Sequence, residues 1–254
     1  MRSSRIVADV LFEGCSAGAL AARLGLPACV LHDRVTSTMD LAHEAAGRGA
    51  AAGTMILADA QDAGRGRGGK RWTSAPGGGL WMTLIERPES ARGIDVMSLR
   101  IGLQLAEALD PLACRPVGLK WPNDLYVGDG KLAGILVEAR WRDQRVEWVA
   151  IGLGLNVVPP PDLAFAAGLS GGVTRLQALA EAVPAVRTAC AAAGPLTSDE
   201  RSRYAARDIS VGRAVSQPAA GVVSGIGATG ELMVDTATGP VACRAGSLVF
   251  AEEG

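Results

Sequence analysis

The sequence lacks the features of a disulfide-stabilised or zinc-binding protein. Its cysteines are odd in number, widely scattered and never in C-x-x-C spacing, so neither a disulfide framework nor a zinc site is indicated. They are Cys15, Cys29, Cys114, Cys190 and Cys243. We interpret them as reduced and mostly buried thiols. Histidine is scarce too, since only His32 and His43 occur; we assign them no role and expect positions at the surface or core edge.

A long apolar run and an excess of one charge are also missing. The uncharged run at residues 149–161 is too short and too rich in glycine and proline to span a bilayer, and Asp9 and Glu13 interrupt any secretory segment. The formal net charge is -1, with 20% charged residues, which indicates neither a nucleic-acid nor a membrane partner. We therefore expect a cytoplasmic protein whose anion-binding sites are local.

The residues that are present suit a globular protein with one large domain, or a large and a small one. The chain has 254 residues, of which 48% are hydrophobic, enough for a buried core. Residues 1–35 show little periodicity and are fewer than the roughly 50 that a small independent domain requires. We therefore expect no added DNA-binding domain at the start of the chain.

Apolar periodicity predicts an α+β fold with a mixed, mostly antiparallel sheet packed with helices. Helices are predicted at 36–49, 97–109 and 174–193, with Pro184 ending or restarting the last, and 194–200 as a connector. A capping box is predicted at Ser37–Asp40. Strands are predicted at 54–60, 79–86, 117–120, 125–127, 132–140 and 146–158. Short β-like runs over 209–252 indicate a small barrel, which divides the chain into domains 1–205 and 206–254.

A cationic, glycine-rich loop over Gln61–Trp72 carries the clearest chemical signal, with four basic residues against one acid. Gly64, Gly66 and Gly69 match G-x-G-x-x-G, and the segment begins like a Walker A loop, but Arg71 stands where that motif needs Ser or Thr. A pliant backbone with guanidinium groups at alternate positions suits a nucleotide phosphate or a carboxylate. For the loop alone, a solvated basic segment or an arginine-glycine segment for nucleic acid fits equally well.

Five blocks, taken together with their order and spacing, closely resemble the biotin protein ligases. The blocks are Val35-Thr36-Ser37-Thr38; Gln61-x-x-Gly64-Arg65-Gly66-Arg67 with Trp72; Lys120-Trp121-Pro122-Asn123-Asp124-Leu125; Lys131-Leu132-Ala133-Gly134-Ile135-Leu136-Val137-Glu138; and Gly152-x-Gly154-x-Asn156-Val157. The resemblance is strong from about 35 to 158. Towards the end of the chain, Gly212-Arg213-x-Val215 and Ala245-Gly246-Ser247-Leu248 resemble the family's C-terminal domain.

The resemblance implies a class II synthetase-like catalytic domain, which is the biotin-lipoate ligase fold, followed by a small SH3-like barrel. It implies an enzyme of the biotin–[biotin carboxyl-carrier protein] ligase type, from the monofunctional group without a DNA-binding domain, so no operator binding is expected. Such an enzyme forms biotinyl-5'-AMP from biotin and ATP with Mg²⁺. It then transfers biotin to one lysine on the biotin carboxyl carrier domain of a biotin-dependent carboxylase, working as a monomer or homodimer.

The same resemblance assigns the biotin site. Ser37, Thr38, Met39 and Gln61 would line the pocket for the ureido ring, where matched donors and acceptors reject other ligands. Gly64, Gly66 and Gly134 would let backbone approach biotin. Arg65 and Arg67 would hold the biotin carboxylate and the α-phosphate together, offsetting their repulsion. Trp72 would help to enclose the intermediate against water.

The resemblance also assigns residues to ATP and to catalysis. Lys131 would reach the same phosphate and carboxylate, and Arg67, Trp72, Asn123 and Asn156 would contribute at the nucleotide. Asp124 would orient the acceptor lysine or help to hold magnesium, and the residues leave both roles open. The catalytic set is thus Arg65, Arg67, Lys131 and Asp124.

Several of these residues also have ordinary structural explanations. Ser37 could be only a helix cap, Lys131 a surface lysine, Trp121 a core tryptophan, and Asn123 and Asp124 simply turn residues. The chain also departs from the family, because Met39 stands where relatives usually have Asn and Gly68 where Arg is common. Leu80-Trp81-Met82-Thr83 likewise replaces the usual Leu-Tyr-x-Ser. A lipoate or related acyl ligase, or a catalytically weakened biotin-binding protein, therefore remains as an alternative.

Overall fold

Two β-sheets organise residues 10–251, the part of the chain that the computed structural model describes. The larger sheet has seven strands: β1 Cys29–Val35, β2 Thr54–Gln61, β3 Gly79–Glu86, β4 Gly118–Lys120, β5 Asp124–Val127, β6 Gly130–Arg142 and β7 Arg145–Asn156. Their order is β1-β2-β3-β7-β6-β5-β4. Only β1 and β2 pair in parallel, which confirms the mixed, mostly antiparallel sheet.

The described helices are α1 Ala17–Leu24, α2 Thr38–Gly47, α3 Met97–Leu109, α4 Arg175–Ala191 and α5 Ser198–Ala205, with short 3-10 turns at Arg67–Gly69, Ile94–Val96 and Asp110–Leu112. The sequence predicts α2, α3 and α4 closely and misses α1 and β1, because both are short. It also treats α5 as part of a connector, although Thr197 and Glu200 form a capping box there.

The prediction that Pro184 ends or restarts the fourth helix is wrong, since α4 passes through that residue. Pro184 itself is exposed, while its neighbours Ala182, Val183, Ala185 and Val186 are buried. Burial of these side chains against the core therefore outweighs the cost of about 3 kcal/mol for proline inside a helix.

The smaller sheet lies at the end of the chain, as the sequence predicts. Its strands are β8 Ala214–Gln217, β9 Gly221–Ile226, β10 Leu232–Thr236, β11 Gly239–Cys243 and β12 Val249–Phe250, in the order β11-β10-β9-β8-β12. All its pairings are antiparallel. Closure into an SH3-like barrel and the division into domains 1–205 and 206–254 stay predictions.

The two faces of the larger sheet have different side chains, and this difference creates the site. One face presents Leu, Ile and Met side chains to α1, α3 and α4 and forms the main core. On the opposite face α2 covers one end, where Met39, Ala42, Ala46, Ile56, Ile85, Trp148 and Ala150 form a second cluster. Beyond α2 that face carries Thr83, Gly134, Gly152 and Gly154, small residues that leave room above the strands.

The cysteines are free thiols, and fewer of them are buried than the sequence predicts. All five cysteines are free, but the prediction that most are buried is wrong, because only Cys243 is buried and Cys114 is exposed. Burial raises the pKa of the Cys29 thiol to about 11, and that of Cys190 to about 12. Within residues 10–251, no helix has both the length and the apolar character needed to cross a bilayer.

Candidate functional site

A cavity of about 370 Å³ opens over the small residues of the sheet. Six cationic side chains and one carboxylate, Asp124, are among its lining residues. The cations are Arg65, Arg67, Lys70, Arg71, Lys120 and Lys131. A chain with a net charge of -1 therefore concentrates positive charge at one place, as expected for a local anion-binding site.

The basic loop between β2 and β3 folds as a hairpin rather than as the start of a helix. The backbone N–H of Gly66 donates to Lys70 O at 2.7 Å, and that of Trp72 donates to Gly64 O at 2.8 Å. At the tip, Gly68 has a φ of 67°, in the left-handed region that favours glycine. Glycine at the position where relatives commonly have Arg is therefore explained by the turn itself.

One end of the cavity is a hydrogen-bonded polar cluster around Thr38. Its backbone N–H donates to Gln61 Oε1 at 2.9 Å, and its hydroxyl donates to the same oxygen at 3.1 Å. Because the hydroxyl has one proton, Thr83 must be the donor in the 2.9 Å contact between the two threonine hydroxyls. Gln61 Nε2 donates in turn to Ser74 Oγ at 2.8 Å. The cluster fixes Gln61 at the cavity wall.

Ser37 and Met39 begin α2 beside this cluster. Ser37 is the N-cap, since its hydroxyl accepts from Met39 N at 3.3 Å, and it also lines the cavity. The predicted capping box is wrong, because Asp40 does not make the reciprocal contact to the Ser37 backbone that such a box requires. The Asp40 carboxylate forms an ion pair with Arg65 at 3.0 Å instead. Met39 is 3% exposed, and its Cε would lie 2.8 Å from a Cβ added at Gly152.

The floor of the cavity is bare backbone with the Trp72 indole above it. Gly134 and Gly154 are cross-strand partners, and a Cβ at either would lie 3.0 Å and 2.4 Å, respectively, from a ring carbon of Trp72. Trp81 supports this indole edge-on, with ring centroids 6.5 Å apart. Within the described residues the buried Nε1–H of Trp72 has no hydrogen-bond partner.

Lys131 and Asp124 meet at the cationic end. Lys131 Nζ lies 2.7 Å from Asp124 Oδ1 and 5.3 Å from the centre of the Trp72 ring. The Lys131 backbone is held by Phe165 O, which accepts from Lys131 N at 2.7 Å. The lysine predicted from the motif thus points into the cavity, where it would contact a bound anion.

Two predicted site residues, Gly64 and Asn156, support the site but do not line the cavity. Gly64 does not line the cavity; a Cβ there would lie 2.6 Å from Trp72 O, so glycine is needed for packing within the hairpin. Asn156 is 3% exposed and donates from Nδ2 to Lys131 O at 3.3 Å, which fixes the strand that carries the lysine. Asn123 lines the cavity and also donates to Ile135 O at 2.8 Å.

The two predicted arginines lie at different edges of the cavity. Arg65 pairs with Asp40 and, at 3.3 Å, with Glu138. Arg67 donates to Gly246 O in the loop before β12, and its guanidinium lies 6.0 Å from the centre of the Trp121 ring. The hairpin therefore contacts both α2 and the C-terminal sheet.

The C-terminal sheet supplies lining residues that the sequence does not identify, namely Ser247, Leu248 and Val249. Trp121, which is 3% exposed, donates from Nε1 to Gly230 O at 2.9 Å and so joins the two sheets. The core interpretation of Trp121 therefore holds, although the ring also borders the cavity. The family resemblance assigns no role to four further lining residues, which are Lys70, Arg71, Thr83 and Lys120.

Two titratable groups, Asp208 and Tyr204, stay uncharged over a wider pH range than usual. Burial raises the pKa of Asp208, partly offset by hydrogen bonds from Ser210. Burial, then the negative charges of Asp208 and Asp124, raise the pKa of Tyr204 well above 10.0. Tyr204 is therefore a neutral phenol at physiological pH.

Protein ligands for a metal are few at the site. Within residues 10–251 no group of three or more His, Cys, Asp or Glu side chains is placed to hold an ion. Magnesium at nucleotide sites usually needs only one or two carboxylates, with phosphates and water supplying the other ligands. The Asp124 carboxylate therefore fits such an ion.

Comparison with known proteins identifies the family. Residues 31–156 match the model of the biotin/lipoate A/B protein ligase family. The bifunctional ligase/repressor BirA of Bacillus subtilis is 37% identical over 134 residues, which are 52% of this chain and 41% of that protein. The chain belongs to the biotin/lipoate A/B protein ligase family. A biotin–[acetyl-CoA-carboxylase] ligase of Paracoccus denitrificans is 40% identical over 118 residues, 45% of this chain and 48% of that ligase.

The fold of the family extends beyond the matched segment. A biotin protein ligase from Aquifex aeolicus, solved in complex with biotin and ATP, superposes with a TM-score of 0.72 at 23% identity. The match covers 87% of this chain and 97% of that one, so the shared fold extends well beyond residues 31–156. The matched segments are 41% and 48% of the two curated relatives, so the match spans less than half of the length of each.

Proposed function

We propose that this chain is a biotin protein ligase that forms biotinyl-5'-AMP and transfers biotin to a lysine of a carboxyl carrier domain. The observation that carries the proposal is one continuous cavity with a polar end, a bare backbone floor and a cationic end. These three parts match the ureido ring, the apolar chain and the carboxylate of biotin, in that order. Relatives named as biotin ligases support the same substrate.

The polar end favours biotin over lipoate. Thr38, Gln61 and Thr83 present fixed donors and acceptors that a ureido group can satisfy. Beyond their contacts within the cluster, Gln61 Nε2 has a second N–H and the Thr83 hydroxyl has an acceptor lone pair, and a ureido group can pair with both whereas an apolar dithiolane can pair with neither. The unpartnered Nε1–H of Trp72 is a further donor available to an acceptor on the ligand.

In the first step a biotin carboxylate oxygen attacks the α-phosphorus of ATP, a new O–P bond forms, and pyrophosphate leaves. Arg65, Arg67 and Lys131 would reduce the repulsion between the two anions and stabilise the negative charge that develops on the phosphate. Bound Mg²⁺ supplies charge neutralisation on the phosphates, and Asp124 is the lining carboxylate that would hold it. Asn123 and Asn156 would fix the strands that carry these groups.

In the second step the amine of the acceptor lysine attacks the acyl carbon, an amide forms, and AMP leaves. The amine must first be neutral, and an unperturbed lysine has a pKa of about 10.4. Asp124, as the carboxylate lining the cavity, would orient the ammonium or accept its proton. Trp72, packed over Gly134 and Gly154, would exclude water from the mixed anhydride.

Transfer of labelled biotin to a purified carrier domain tests this function. We expect ATP-dependent labelling of one carrier lysine by the wild-type protein and a loss of at least about 100-fold in Lys131→Ala, because a cation beside the reacting phosphate is removed. His32→Gln, on β1 away from the cavity, is the matched control and should label normally. A folded wild-type protein that labels no carrier, or that attaches lipoate instead, would contradict the proposal.

A further inference from the structure

A chain of polar contacts behind the cavity ends on Arg65. Trp148 on β7 donates from Nε1 to His43 Nδ1 at 3.0 Å, and His43 Nε2 on α2 lies 2.8 Å from Glu138 Oε2 on β6. The same Glu138 oxygen accepts from Arg65 Nη2 at 3.3 Å. Three secondary-structure elements and the basic loop therefore meet at one half-buried histidine.

The contacts define which nitrogen of His43 carries the proton. An indole N–H can only donate, so Nδ1 of His43 must be the acceptor and carries no hydrogen. The ring proton is then on Nε2, which donates to Glu138. Arg87, whose guanidinium lies 5.8 Å from the centre of the Trp148 ring, donates to Ala46 O near the end of α2 and so fixes this indole against the helix.

Arg65 depends on these contacts for its orientation. Its side chain is 40% exposed and lines the cavity, and long exposed arginines lose about 2 kcal/mol of rotamer entropy when they are fixed. Asp40 also contacts the guanidinium, but Asp40 is 51% exposed, and within residues 10–251 its side chain has no second ion-pair or hydrogen-bond partner. Glu138 is 34% exposed and is held by His43.

We propose that His43 is a positioning residue for the ligase reaction, acting through Glu138 to orient Arg65 towards the carboxylate of the substrate. The inference rests on the proposed function for its substrate. It adds a residue that does not line the cavity. It also gives Glu138 a role, as the acceptor shared by His43 and Arg65.

Two substitutions of His43 separate this role from simple packing. In His43→Gln the side-chain amide can place an N–H donor near the position of Nε2, so the bond to Glu138 is retained. In His43→Asn the shorter amide can accept from Trp148 but cannot reach Glu138. We expect the KM for biotin in adenylate formation to rise about 10-fold in His43→Asn and to change by less than about 2-fold in His43→Gln, with similar Tm values.

A mutant cycle with Arg65 tests the direction of the effect. In an Arg65→Ala background, His43→Asn and His43→Gln should have the same KM, because the residue on which His43 acts is gone. Equal KM values for the two variants in the wild-type background would overturn the proposal. So would a difference between them that persists without Arg65.

The histidine ring can also be observed directly, without substrate. The chain has only two histidines, so a ¹H–¹⁵N spectrum of the rings, with His32→Gln for assignment, resolves His43. We expect the proton on Nε2 and a shift of the His43 signals in Glu138→Gln, with those of His32 unchanged. A proton on Nδ1, or no shift, would overturn the proposal, whereas a wild-type protein without biotin turnover would contradict only the proposed function.

Discussion

A single methyl group at Gly154 would disturb the site while leaving the core intact. Its Cβ would lie 2.4 Å from Trp72 Cε2, closer than packed carbon atoms approach, so the indole must move. We expect Gly154→Ala to weaken biotin binding by roughly 10-fold or more, measured by calorimetry, because overpacking of this kind costs about 1–3 kcal/mol.

The matched control for this substitution is Gly171→Ala, where an added Cβ has no atom within 4 Å and the φ is not positive. Unchanged biotin affinity in Gly154→Ala, beside a normal control, would mean that the Trp72 ring above Gly154 does not shape the pocket.

At the residue scale, motifs predict the loop and strand residues of the site but not the partners that other strands bring to them. The resemblance to the biotin protein ligases assigns site roles to Thr38, Gln61, Arg65, Arg67 and Lys131, and all five line the cavity. It assigns none to Thr83 and His43, since their roles depend on the pairing of β3 with β7 and on which face α2 covers. Register of this kind is set by tertiary contacts that no local pattern contains.

At the scale of elements, a buried ion pair joins α3 to α5. Arg100 on α3 is 2% exposed and pairs with the buried Glu200 on α5, while also donating to Gly194 O and Pro195 O in the connector. Hydrogen bonds from Arg100 lower the pKa of Glu200 below its ordinary value of 4.5. Arg100 therefore fixes both the connector and α5 against α3, just before the C-terminal sheet.

We expect Glu200→Gln to reduce the free energy of unfolding at pH 7 by about 3–5 kcal/mol, because Arg100 is left buried without a counter-charge. Glu200 has a lower pKa in the folded state, so its contribution is complete above pH 4.5 and is lost as the pH falls below that value. Urea unfolding at several pH values should thus show a shallower acid dependence in the variant.

Glu44→Gln provides the comparison, because Glu44 forms an exposed pair with Arg48 and should change stability by less than about 1 kcal/mol. Equal losses of unfolding free energy in the two variants would show that the buried Arg100–Glu200 pair stabilises the fold no more than an exposed pair does.

Helices and strands are predictable from the sequence where the apolar pattern is long. The prediction fails where tertiary packing determines the local structure. The bounds of β3 and α3 agree with the apolar pattern, because β3 is a continuous apolar run buried on both faces and α3 buries a long apolar face. In α4 the pattern around Pro184 misleads, since four buried neighbours keep the helix continuous. α1 and α5 have eight residues each, too few for periodicity to distinguish a helix from a loop.

At the scale of the whole molecule, the arrangement of charge matters more than its sum. A net charge of -1 conceals a cavity with six cations and one carboxylate, because acidic residues lie elsewhere on the surface. The C-terminal sheet closes one side of this cavity through Gly246 and Val249. Residues of both sheets therefore line or close this cavity, and neither sequence segment alone predicts that they meet.

Exchange of labelled pyrophosphate into ATP tests the central claim, that one cationic cavity brings the biotin carboxylate and the α-phosphate together. We predict exchange that requires biotin, is not supported by lipoate, and falls at least about 100-fold when Arg67 is replaced by Ala in a folded protein. Exchange at the wild-type rate in Arg67→Ala, or exchange that lipoate supports as well as biotin, would contradict this account.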